Sequence, residues 1–254
     1  MMTRYRVWLD GLGLHDLDPC LIITDVCESA PRMQIKTAAR AQGDGLVCTR
    51  RTRQSLSVTV RFLIREYDPM RRQGVMQKLH AWAQGSCLTF SHRPGQELLV
   101  TLDAFPTVTS ALKWTEELSI TFTAYALPYW RSVEPATLAT NTSAAMMVEG
   151  TAPFAPADVT VTTGGSGTTT AITVQAGSHA ITLQGLSLAP GATVVFSHDD
   201  QGVLHITSGG ASLLDRRTAD SADDLLMIPG QSNTVSCSGD QPLTATFAVK
   251  GVWA

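Results

Sequence analysis

Histidine, carboxylate and cysteine side chains are the groups through which this 254-residue chain could perform acid–base, nucleophilic or metal chemistry. The six histidines, His15, His80, His92, His179, His198 and His205, are scattered, and no motif joins them. The best candidate is His198-Asp199-Asp200, which offers a metal ligand or an acid/base pair. It follows the apolar alternation Val194-Phe196 and precedes Gly202, so a polar loop tip is the plainer reading. Nucleophilic catalysis needs a nucleophile, a base and a third group that orients the base, and the sequence offers no such set. The five cysteines, Cys20, Cys27, Cys48, Cys87 and Cys237, cannot all pair and contain no CxxC spacing; they read as buried thiols in a reducing compartment. The expectation is a chain that is not an enzyme, with no catalytic residue, no cofactor and no metal site.

Two glycine-rich runs, Gly11-Leu12-Gly13 and Gly164-Gly165-Ser166-Gly167, could suggest phosphate cradles. Neither is followed by an amphipathic helix whose N-terminal amides would bind the anion, so both read as loops. Arg50-Arg51-Thr52-Arg53 is the densest basic cluster and fits an exposed strand or arm better than a nucleic-acid surface. The formal charge of −3 hides an asymmetry, because residues 1–130 carry fifteen Lys/Arg against twelve Asp/Glu and residues 131–254 carry four against ten. The halves therefore stand at +3 and −6, far from the basic excess of a nucleic-acid binder, and they suit different neighbours. The N-terminus MMTRYRVWLDG lacks the apolar core and cleavage site of a signal peptide, and no stretch is apolar enough for a membrane span. These features predict a soluble protein made in the cytosol, without a membrane partner.

The elements that must position these residues are mostly strands. Leu56, Val58, Val60, Phe62 and Ile64 alternate with mainly polar residues, as do Tyr5-Val7-Leu9, Leu98-Val100-Leu102 and Leu118-Ile120-Phe122. Asp10-Gly11, Asp44-Gly45 and Pro94-Gly95 supply turns between them. Asp68-Pro69 reads as an N-cap and first-turn proline for one helix over about 70–84. Val75, Met76, Leu79, Trp82 and Ala83 form its buried stripe, Gln73, Gln77 and Lys78 face water, and Gly85 ends it.

Residues 131–150 lack sustained alternation and read as a linker or extended arm. Beyond them short strands around Ile172-Val174, Ile181-Leu183, Val194-Phe196, Leu204-Ile206 and Phe247-Val249 predict a small β-sandwich over 151–254. The expected class is mainly β: an antiparallel sandwich or barrel-like domain with one packed helix over 1–130, the linker, and the sandwich.

The segment Glu117 to Trp130, ELSITFTAYALPYW, ends an alternating strand in Pro128-Tyr129-Trp130, and this resembles the distal tail proteins (Dit) of siphophages. The wider order is similar: a first strand ending in Asp10-Gly11, long strands, a helix running into Leu79-His80-Ala81-Trp82-Ala83, a strand pair around Pro94-Gly95, and the strand that reaches Pro128-Tyr129-Trp130. The second half looks like that family's galectin-like domain, opening with Val148-Glu149-Gly150-Thr151-Ala152-Pro153 and running through Ile181-Thr182-Leu183 and Leu226-Met227-Ile228-Pro229-Gly230 to Val252-Trp253. The resemblance implies a viral structural protein whose first domains form a homo-hexameric ring at the tail tip, with Trp82, Pro128, Tyr129 and Trp130 as structural motif residues. It implies a ring that joins the tail tube protein to the baseplate hub or tail-associated fibre protein, leaves a passage for the tape measure protein and DNA, and in some phages carries receptor-binding proteins. Such a protein is made and assembled in the host bacterial cytoplasm and resides in the virion. No chemically acting residue is carried over from the family.

Two other classes compete with this reading: a carbohydrate-binding adhesion module of the tail tip, and a wall-degrading or other tail-associated enzyme. A glycan binder should show an exposed aromatic on a sheet face. Residues 151–254 contain only Phe154, Phe196, Phe247 and Trp253, and Phe196 and Phe247 lie where alternation points them into the core. An enzyme should show convergent carboxylates or a metal cluster, and neither is legible.

Overall fold

In a computed structural model, residues 5–40, 44–107 and 117–254 are described. The chain divides into two compact units, Met1–Tyr129 and Trp130–Ala254.

In the first unit, chain order is β1 (Val7–Leu9), β2 (Leu12–Gly13), α1 (Leu14–Leu17), β3 (Leu21–Glu28), β4 (Arg32–Ala39), β5 (Leu46–Ile64), α2 (Pro69–Trp82), β6 (Cys87–Phe90), β7 (Gln96–Leu99), β8 (Thr101–Ala104) and β9 (Leu118–Ala124). One antiparallel sheet runs β3-β5-β9-β8, with β4 added along the first half of β5. A second array places β1 between β2 and β6, and β6 beside β7. The Asp10-Gly11 turn has φ 49° and 79°, the left-handed pair that a tight hairpin requires. Asp10 also accepts hydrogen bonds from the Ser86 and Cys87 amides, so one residue fixes both the turn and the start of β6.

Asp68 caps α2 by accepting from the Met70 amide, with Pro69 in the first turn. Val75, Met76, Leu79, Trp82 and Ala83 are all buried. Trp82 meets Phe122 of β9 edge to face at 5.9 Å and donates from Nε1 to the Leu12 carbonyl at 2.7 Å. The indole is thus buried with its one polar atom satisfied. The sheet face towards α2 carries Val58, Val60, Phe62, Ile120 and Phe122, all fully buried. The opposite face is hydroxyl-rich: Ser57 pairs with Thr123 and Thr59 with Thr121 across strands.

The second unit contains β10 (Trp130–Ser132), β11 (Ala136–Thr140), β12 (Ser143–Met147), β13 (Ala155–Thr163), β14 (Thr169–Ala176), β15 (His179–Leu188), β16 (Thr193–His198), β17 (Leu204–Ser208), β18 (Ala211–Ser212), β19 (Leu226–Met227), β20 (Ser232–Gly239), β21 (Leu243–Val249) and β22 (Val252–Trp253). A 3-10 turn spans Leu214–Arg216. One sheet runs β11-β21-β13-β16-β17-β18 with β19 on β13, and the other runs β12-β20-β14-β15. Alternate residues are buried in both, including Val159, Val161, Phe196 and Phe247 in the first and Ile172, Val174, Ile181 and Val235 in the second, the pattern of a two-sheet sandwich.

Several expectations need correction. Residues 131–150 are not a free arm, because β10, β11 and β12 pair with β22, β21 and β20. Their Ala- and Thr-rich strands bury only Met146 among the residues of β11 and β12, so their alternation is faint in sequence. Leu98-Val100-Leu102 is not one strand: β7 and β8 belong to different arrays, and the Val100 amide donates to the Ser86 carbonyl between them. The first unit holds a second, one-turn helix, α1, too short to leave a periodic pattern. Finally, α2 ends at Trp82 with Ala83 as a right-handed C-cap, and Gly85 serves close packing, since a Cβ there would meet Leu9 and Asp10 at 2.6 Å.

Candidate functional site

The 19-residue strand β5 is longer than the sheet that buries it. Its second half pairs with β3 and β9, whereas Leu46 to Ser55 pairs only with β4, in a register from Arg32 opposite Ser55 to Ala39 opposite Leu46. Every residue of β4 is exposed, as are Leu46 to Arg51 of β5. The result is a two-stranded ribbon standing clear of the core.

Such a ribbon is marginal in water by itself, and its side chains do not relieve this. Within residues 32–53 stand Arg32, Lys36, Arg40, Arg50, Arg51 and Arg53, against Asp44 alone among acidic residues. Lys36 lies directly opposite Arg50, a like-charge cross-strand pair. Met33, Ile35, Leu46 and Val47 are exposed as well, Ile35 to 57% and Leu46 to 66%. Paired exposed backbone edges, a one-sign charge field and bare aliphatic side chains together suit a protein surface that offers strand partners, acidic groups and apolar cover.

Arg53 anchors the base of the ribbon. Its guanidinium lies 4.7 Å from the Tyr129 ring centre, and Nη1 donates to the Pro128 carbonyl at 3.2 Å. Pro128 and Tyr129 are buried there. Within the first unit Pro128 and Tyr129 sit at the ribbon base and Trp82 lies in the core under α2; Trp130 opens the second unit, where it pairs with Trp253 in β10–β22. Nothing in the sequence separation of 75 residues marks Arg53 as the partner of Pro128. At the far end of β3, Glu28 accepts two hydrogen bonds from Arg93, at 2.9 and 2.8 Å, which ties β3 to the β6–β7 turn.

The His198-Asp199-Asp200 cluster does not converge. His198 Nδ1 faces Asp158 Oδ1 at 2.8 Å and Nε2 faces Asp224 Oδ1 at 2.6 Å, while Asp199 meets His205 at 3.1 Å. Burial by itself would lower the His198 pKa, but hydrogen bonds and charge from the two carboxylates outweigh it and raise it to about 9. Asp224 is held below the usual carboxylate value, its burial being outweighed by His198. An imidazolium locked between two carboxylates is an ion clip with no free acid–base position. Asp158 and Asp224 lie too far away in sequence, 40 and 26 residues, to be seen as its partners beforehand. Among the described residues no group of three or more His, Cys, Asp or Glu side chains is placed to hold a metal, and no helix is long and apolar enough to cross a membrane. The cysteines are free, but only Cys237 is buried, and Cys48 stands exposed on the ribbon, contrary to the expectation of five buried thiols.

No family model and no curated protein matches the sequence. The fold does match solved structures. The crystal structure of the Dit protein of phage SPP1, described as a paradigm of the hub adsorption apparatus in phages that infect Gram-positive hosts, aligns with a TM-score of 0.72 at 14% identity, covering 98% of this chain and 99% of that one. Chains of the phage P2 baseplate in its activated conformation align with TM-scores of 0.52 (with Ca, 10% identity, 99% and 98% coverage) and 0.51 (with Sr, 10% identity, 97% of each chain). The chain has the fold of the SPP1 Dit protein over nearly its whole length.

Proposed function

We propose that this chain, having the Dit fold, is a structural distal tail protein of a long non-contractile-tailed phage. Its first unit closes into a hexameric ring that joins the tail tube to the baseplate hub, and its second unit serves as an adaptor for a further tail protein. The observation that carries the reading is the end-to-end correspondence with SPP1 Dit, in which almost no part of either chain is left over. The β4–β5 ribbon supports it, because a second copy of the chain is the partner best suited to use open strand edges in a closed symmetric array. The balance of four basic to ten acidic residues over 131–254 suits a basic protein surface as the adaptor's partner.

Light scattering on the purified chain, alone and with tail tube protein, tests the ring. The expected mass is about six times 27.2 kDa. Monomers alone at high concentration, with tail tube protein present, would overturn it. The adaptor reading is tested by glycan-array screening of the full chain beside a pull-down with tail-tip proteins; a specific saccharide with no tail protein recovered would favour the adhesion module instead.

A further inference from the structure

The outer edge of β15 is covered by a segment that no buried side chain holds in place. On that edge, Thr218 N donates to the Thr182 carbonyl at 3.0 Å and Ala222 N to the Ala180 carbonyl at 2.8 Å. Thr182 N donates to Ser221 Oγ at 2.9 Å, and Arg217 bridges to Leu183. The covering segment satisfies backbone groups that an edge strand would otherwise present to water or to another chain. Yet no residue from Ala211 to Asp224 is buried. Leu213, Thr218, Ser221 and Ala222 are only half-buried, so hydrogen bonds and charges do most of the seating, the character of a region that opens before its surroundings do.

Its two ends are fixed differently. At the start, Leu213 N donates to the Ile206 carbonyl at 2.8 Å. At the finish, Asp224 meets His198, and then Leu225 is fully buried, with its carbonyl accepting from Ala157 N. A fully buried apolar anchor thus follows directly after the ionic contact. Within the segment, Arg217 turns back to Asp223 at 3.3 Å.

We propose that residues 213–224 are a latched strap: the His198 imidazolium, gripped by Asp158 and Asp224, keeps the strap on the edge of β15, and neutralising either partner lets it lift while the sandwich stays folded. The charged groups around the latch come from each neighbouring element. β13 supplies Asp158, the strap supplies Asp224, and β15 supplies His179, which acts on Asp224. His205 of β17 is engaged by Asp199.

The direction of the pH effect follows. Because the folded His198 pKa is raised to about 9, its contribution is whole below the ordinary value of 6.5, shrinks as pH rises from there, and is lost above about 9. Because the folded Asp224 pKa is lowered, its contribution is present above the ordinary 3.8 and is lost as pH falls through the lowered value. The strap is therefore tightest in mildly acidic solution and loosens on either side.

Pulse-labelled hydrogen exchange on the full chain, corrected for intrinsic rates, tests this at the amides of Thr182, Thr218 and Ala222. From pH 6 to pH 9.5 their protection should fall by about tenfold or more, while the β14–β20 ladder keeps its own. His198→Gln should show the alkaline level already at pH 6 and no further pH dependence. Arg217→Ala should lower protection at all pH values and leave the pH dependence in place. If His198→Gln does not fold, Asp224→Asn, which keeps the side-chain shape, provides the same readout. The proposal is overturned if the three amides exchange together with the β14–β20 ladder at every pH, or if the folded latch variant keeps the parent's protection.

Discussion

From Leu56 to Ile64, β5 buries every second residue on the face that α2 covers, whereas from Leu46 to Arg51 the same strand is exposed at every position. The two halves share one backbone and one neighbour rule, and differ in what their side chains are for. The second half has β3 on one side and β9 on the other, so its hydrogen bonds and its apolar face are both used inside the unit. The first half has β4 alone, and its β-branched, aliphatic and arginine side chains gain nothing from the core. A strand that runs this far past its own sheet leaves its open edge and its side chains on the surface of the unit. The comparison separates residues that hold the fold from residues that present a surface, along a single element.

The largest expected effects test that separation from the buried side. Phe62→Ala should cost about 3–5 kcal/mol through lost burial and the cavity left behind, since Phe62 is fully buried between β3 and β9. Trp82→Ala should cost a similar amount, about 3–5 kcal/mol, and also orphans the Leu12 carbonyl that its Nε1 serves. By contrast, Ile35→Ala and Lys78→Ala should each change chain stability by no more than about 0.5 kcal/mol. Chemical denaturation under conditions that keep the protein monomeric measures all four; equal costs on both sides would erase the distinction.

Next in size is an effect on assembly with almost none on folding. Arg50→Glu together with Arg51→Glu should leave the monomer's denaturation midpoint nearly unchanged and weaken self-association by about 2–5 kcal/mol if these charges are paired across an interface. Sedimentation of parent and variant over a concentration series reads this directly. A variant that associates as the parent does would remove the ribbon from the interface.

Between the halves stands Arg53, whose stack on Tyr129 and bond to Pro128 belong to the base of the ribbon. Arg53→Met keeps most of the apolar contact and loses the charge and the hydrogen bond, so a cost of about 1–2 kcal/mol is expected. A thermal melt shows whether the ribbon base is coupled to the fold: a cost near zero would place Arg53 with the presenting residues.

The legibility of the chain followed the same division. Alternation in 56–64 and 118–122, and the cap and stripe of α2, were readable because burial on one face writes a period into the sequence. β4 and the first half of β5 carry no such period, since neither face is buried, and only the arginine cluster hinted at an exposed strand or arm. The edge strands β11 and β12 read as a linker in the sequence for a related reason, their side chains being small and mostly exposed. The resemblance to distal tail proteins rested on Pro128-Tyr129-Trp130 beside the unit boundary, whereas the partner that holds Pro128 and Tyr129 lies 75 residues from Pro128. His198 was legible as a polar cluster, but its real partners, Asp158 and Asp224, are brought to it only by strand pairing and by the end of the strap.

The smallest effect is the sharpest discriminator, because the two roles predict opposite signs. Lys36 and Arg50 sit opposite one another on the exposed ribbon, an arrangement that costs a lone hairpin a little. Lys36→Glu replaces repulsion by attraction across the strands and should stabilise the monomer by about 0.2–1 kcal/mol. If the ribbon's charge field is there to meet an acidic partner surface, the same change should weaken association, since one positive charge is removed and a negative one added where complementarity is needed. Stability and association would then move in opposite directions in one variant. Measured side by side by denaturation and sedimentation, a gain in both would mean that the repeated positive charge has no part in recognition and that the ribbon's apolar and backbone edges carry assembly by themselves.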